Sequence, residues 1–142
     1  EALLPPGPWK TAHGPAMLET PHGTLLCCWF AGTYEGDTDI NIVVSRLESG
    51  FDRWSEPTYI SKDEEYSDQN PSLFLAPDNS IWAMYTSQIG RQPGKDNMQY
   101  TAVVKRQISY DDGLSWSAPE VIVSEPGTFS RQPIQVLRMD AG

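Results

Sequence analysis

Three segments of the chain carry a polar residue, one intervening residue, a proline and then an apolar stretch. They are His13-Gly14-Pro15-Ala16-Met17-Leu18, Gln69-Asn70-Pro71-Ser72-Leu73-Phe74 and Arg131-Gln132-Pro133-Ile134-Gln135-Val136. Their prolines stand 56 and 62 residues apart. A period of that size restricts the chain to a repeat architecture. Each unit is one supersecondary element that cannot bury its own apolar faces and has to stack on a neighbour.

The units agree in detail. A turn follows the first two segments, at Thr20-Pro21-His22-Gly23 and at Ala76-Pro77-Asp78-Asn79. Strand-like runs come next, Thr24–Phe30 and Ser80–Tyr85, then Ile40–Ser45 and Thr101–Ile108. Each unit closes with a Trp-Ser-x-Pro tetrad, Trp54-Ser55-Glu56-Pro57 and Trp116-Ser117-Ala118-Pro119, followed by Thr58–Ile60 or Glu120–Val123. β-Branched and aromatic residues dominate these runs, and no stretch sustains helical periodicity. Four short strands per unit of about 60 residues is the layout of a β-propeller blade. A β-sandwich with strands alike by chance is the alternative, and the in-phase prolines, tryptophans and turns argue against it. The reading is all-β, in four-stranded antiparallel sheets. Residues 1–142 form one partial propeller domain, with blade 1 at about 13–61, blade 2 at about 69–124 and the first strand of a third at about 131–138.

The second unit holds the sharpest motif, Ser109-Tyr110-Asp111-Asp112-Gly113-Leu114-Ser115-Trp116. As a hairpin it is physically sensible. The Asp carboxylate can accept from the turn's own N–H groups, Gly supplies positive φ, and Trp offers a flat surface to pack between sheets. The first unit carries a longer copy between Ser45 and Trp54, with Leu47 in place of the Asp.

Composition narrows the function. Lys and Arg number 10 against 19 Asp and Glu, a net charge of −9, which argues against nucleic-acid or membrane-surface binding. No apolar run approaches the roughly 18 residues that span a bilayer. Cys27 and Cys28 are adjacent, so in a strand they point to opposite faces and do not bridge. The residues name no compartment.

At these motifs the sequence resembles the sialidase superfamily. Ser109 to Trp116 resembles its Asp-box, the neuraminidase (BNR) repeat. The run from His13 through Ser45 resembles the BNR-repeat-containing sialidase-like group. The resemblance implies a six-bladed propeller around a central funnel and a glycan-active protein, a glycoside hydrolase or part of one, acting on an acidic sugar without a cofactor. A family sialidase grips the substrate carboxylate with three arginines and uses an Asp acid/base and a Tyr–Glu nucleophile pair. Carried over by position, the first arginine falls on His13, a departure that opens elimination by a His/Tyr pair as a variant. The same phase falls on Gln69 and Arg131. The acid/base loop corresponds to residues 31–39, so Asp37 or Asp39 would donate the proton, with Glu35 beside them. The family's remaining arginines and its Tyr belong to later blades.

From the residues alone, Glu35, Asp37 and Asp39 place three carboxylates within five positions. Such a group could raise one another's pKa and supply an acid, could form a solvated turn, or could offer a Ca²⁺ site with backbone oxygens, although the spacing lacks the full EF-hand pattern. Residues 87–97 form a long polar loop at the equivalent place in unit two. Such loops often bind ligand, and Arg91 is a candidate substrate contact; Arg91 and Lys95 could offset the acidic loop or simply be solvated. Trp29, Trp54, Trp82 and Trp116 read as inter-blade core. Two blades would expose apolar faces, so further blades of the same polypeptide or a homo-oligomer are expected to close the ring. The third inner strand favours the longer polypeptide. The alternative to an enzyme is a non-catalytic propeller module that presents loops to a glycan or protein.

Overall fold

The computed structural model describes residues 2–95 and 98–131. They form two four-stranded antiparallel sheets. The first runs β1 (Thr11–Glu19), β2 (Leu25–Gly32), β3 (Asn41–Leu47), β4 (Thr58–Tyr59), in that spatial order. The second repeats it with β5 (Tyr66–Leu75), β6 (Ile81–Ile89), β7 (Val103–Ser109) and β8 (Glu120–Val123). The helix among the described residues is a single 3₁₀ turn at Gln99–Thr101. The protein is all-β, built from two blade-like sheets. Beyond Arg131, the third inner strand expected at about 131–138 lies outside the described residues.

The repeat is visible in the hydrogen bonds. Before each proline stands a residue with positive φ, Gly14 (61°) and Asn70 (51°). Both mark a shift of register, between His13 and Ala16 and between Gln69 and Ser72. The polar-x-Pro motif is therefore a β-bulge, and Gly or Asn stands where left-handed backbone is least costly. Each tetrad serine then ties the unit's end to its third strand. Ser55 Oγ accepts from Arg46 N at 2.9 Å, as Ser117 Oγ does from Ile108 N at 2.9 Å.

The core lies between the sheets. Leu26, Cys28, Phe30, Ile42 and Val44 of the first face Leu73, Ile81, Ala83 and Tyr85 of the second, with Trp116 packed against them. Cys27, Trp29, Val43 and Trp54 cover the other face of the first sheet, where the N-terminal segment lays Ala2 and Trp9. The two cysteines do face opposite ways, and both are free and buried.

The Asp-box docks the second sheet on the first. Asp111 accepts from Ser115 N and Oγ and from Ser109 Oγ, which fixes the loop's shape. Asp112 and Gly113 take positive φ (56° and 80°), and a Cβ on Gly113 would lie 2.9 Å from the Leu26 side chain. The same loop holds the first sheet through His22 Nδ1 to Asp112 Oδ2 at 2.7 Å and through Arg46 Nε, which donates to the Asp112 carbonyl at 2.9 Å.

Candidate functional site

The loop between β2 and β3 and the loop between β6 and β7 meet at one end of the sheets. The first is a glycine turn, in which Asp37 N donates to Tyr34 O at 2.9 Å and Gly36 has φ 93°. The second clamps onto it. Arg91 N donates to Gly36 O at 2.7 Å, and Arg91 Nη2 donates to Glu35 O at 2.6 Å. Arg91 Nε also lies 3.4 Å from Asp37 Oδ1. Gly90 is packed so closely that a Cβ would come within 2.1 Å of Thr38 Cγ2.

Between these loops and the end of β5 lies a polar cleft of about 250 Å³. Glu35 and Gly36 form one wall, Arg91 and Lys95 another, and Gln69, Gln88 and Gln99 line it with carboxamides. Buried Met98 supplies an apolar patch. Gln69 is held by donating through Nε2 to Ser67 Oγ at 2.9 Å. The arrangement presents several hydrogen-bond donors and two cations within a protein of net charge −9. That set suits vicinal hydroxyls and a carboxylate.

Of the residues singled out in the sequence, Glu35, Gln69, Arg91 and Lys95 come together in this cleft, with Asp37 held on Arg91 behind its rim. Asp39 is turned into its own loop. Its carboxylate accepts from Thr33 N at 3.0 and 3.1 Å and from Thr33 Oγ1 at 2.6 Å. His13 stacks on Phe30 with ring centres 5.5 Å apart, and it lines a different groove, with Pro5, Pro6, Trp9 and Trp29. Arg131 is exposed next to Ser130, which is pinned to Thr86, and it is not among the residues lining the cleft. No group of three or more His, Cys, Asp or Glu able to hold a metal occurs among the described residues, the acidic loop included.

Met98 and Gln99 are the lining residues that sequence reasoning missed, whereas Gln88 fell within the polar loop expected at 87–97 and stands instead on β6, which runs to Ile89. Met98 and Gln99 had no signal.

The sequence pattern of the BNR repeat-like domain matches residues 23–142, most of the chain. The protein belongs to the BNR repeat-like family. A solved structural neighbour is the crystal structure of a protein of unknown function from Dyadobacter fermentans DSM 18053. It superposes with a TM-score of 0.61 at 19% identity, over 77% of this chain and 35% of that one. At that identity the likeness concerns the fold alone. This BNR repeat-like chain thus spans about a third of its neighbour's length. No curated protein matches it.

Proposed function

We propose that this BNR repeat-like protein is a sialidase-like glycan-active protein, and that its two sheets contribute the sugar-binding part of a site completed by further blades. The observation that carries the reading is the convergence of Gln69, Gln88, Gln99, Arg91 and Lys95 on one cleft beside the Glu35 loop. Planar carboxamides suit sugar hydroxyls, and a guanidinium fixed by backbone bonds suits a carboxylate of an acidic sugar. Asp37 is the better placed of the two aspartates to serve chemistry there, since Asp39 is committed to Thr33. Its role as proton donor belongs to the hydrolase form of the proposal. A binding module would use the same cleft without a donor.

The experiment is a panel of fluorogenic glycosides and a glycan array with the parent protein, Arg91→Ala, Asp37→Asn and Asp39→Asn. The hydrolase form expects turnover that Asp37→Asn abolishes. Array binding lost in Arg91→Ala, with no turnover in the parent, indicates the module. Neither binding nor turnover for any acidic glycan, with the parent folded, refutes the glycan reading.

A further inference from the structure

A second polar cavity, of about 240 Å³, lies against the opposite face of the second sheet from the glutamine cleft, where that sheet meets the first. Asp68 precedes Gln69 on β5, so its side chain leaves the strand on the other side. Only 1% of Asp68 is exposed, and its Oδ1 has no hydrogen-bond partner. Directly across the strand pair is Ser87, whose Oγ is likewise buried without a partner.

The surrounding groups are oxygen-rich. Ser61 Oγ accepts from Ile42 N at 2.9 Å. The Tyr85 hydroxyl donates to Gln107 Oε1 at 2.7 Å, and Gln107 Nε2 donates to Ser117 O at 2.7 Å. With its hydrogen so used, the Tyr85 oxygen keeps its lone pairs for another donor or a cation. The nearby positive charge is already matched, because Lys105 Nζ lies 3.3 Å from Asp63 Oδ2 and 4.5 Å from the Tyr66 ring centre. Lys62, at the rim, turns its ammonium over the Tyr59 ring at 5.7 Å. Burial pushes the Asp68 carboxyl's pKa up, and the Ser87 and Ser61 hydroxyls and Lys105 draw it back down.

The Ser61 and Ser87 hydroxyls and Lys105 ease the Asp68 charge, but its Oδ1 accepts no hydrogen bond, and a counter-charge in contact with a buried carboxylate oxygen removes much of the cost of burying it. We propose that this cavity binds a single monovalent cation, an alkali-metal or ammonium ion, between Asp68 Oδ1 and Ser87 Oγ. The cavity joins the two sheets, since Ser61 and Asp63 come from the segment that closes the first and Asp68 and Lys105 from the second, with Ser87 beside Asp68 across the strand pair rather than in the lining. One charge is the amount left over once Lys105 and Asp63 have paired, and hydroxyl oxygens beside one carboxylate suit a hard monovalent ion better than zinc or a soft metal.

The test is thermal unfolding of the whole chain in sodium, potassium or ammonium chloride against N-methyl-D-glucamine chloride at equal ionic strength. Binding to the folded state raises Tm in a saturable way. At least one small cation is expected to raise Tm by a few degrees over the bulky control. Asp68→Asn, shown to be folded by circular dichroism, is expected to lose that rise. Lys105→Gln keeps a hydrogen bond to Asp63 and removes a competing charge, so its half-saturating concentration should fall roughly tenfold. Equal Tm in all salts, a rise that survives in Asp68→Asn, or weaker cation binding in Lys105→Gln would each overturn the proposal.

Discussion

Asp111 shows how one side chain sets a loop. Its two carboxylate oxygens collect donors from Ser109 and Ser115, although the residue itself is exposed. Replacing it by Ala removes these acceptors, and the expected loss is about 1 kcal/mol, the scale of a lost cap, read by urea unfolding. Acid sensitivity follows as well. Slight burial raises the Asp111 pKa, but the Ser115 hydroxyl and amide and the Ser109 hydroxyl outweigh it, and the net shift is downward. A carboxyl with a depressed folded pKa contributes stability above its unfolded value of about 3.9 and loses it as pH falls through the folded value. Below about pH 4 the parent should therefore lose stability more steeply than Asp111→Asn. Equal slopes in acid titrations of the two would count against this account.

At the level of strands and turns, the parts that recur are those the sequence announced. The bulge residues Gly14 and Asn70, the Trp-Ser-x-Pro serines and the Asp-box all act through local backbone geometry, so a short motif suffices to reveal them. Ser55→Ala and Ser117→Ala should each cost about 1 kcal/mol, and because they tie different units the double variant should be close to their sum. Asn70→Ala should cost about 1 kcal/mol more than Asn70→Gly, since only the latter keeps φ 51° without strain; chemical denaturation of the pair reads the difference. The cleft was less legible for the same physical reason in reverse. Glu35 and Arg91 were visible as polar loop residues, but their clamp joins segments more than fifty residues apart and depends on how the sheets dock. Asp39 read as a free acid because its partner, Thr33, is an ordinary loop residue. Asp68 carried no signal, since a lone acidic residue before the repeat motif looks like any solvated one.

For the molecule as a whole, the packing between sheets decides stability. Leu26 is fully buried, belongs to the shared core and is the residue against which Gly113 rests. Leu26→Ala should cost about 2–5 kcal/mol and lower Tm cooperatively, with near-ultraviolet circular dichroism reporting both sheets at once. Separate transitions for the two sheets would contradict a shared core. The ties that accompany this core all run between neighbours in the chain: the second unit's last hairpin reaches back through Asp112 to His22 and Arg46. Such an arrangement has a direction. A nascent polypeptide emerging from the ribosome can fasten each newly made section to the one already outside, so synthesis from the amino end and the order of fastening coincide.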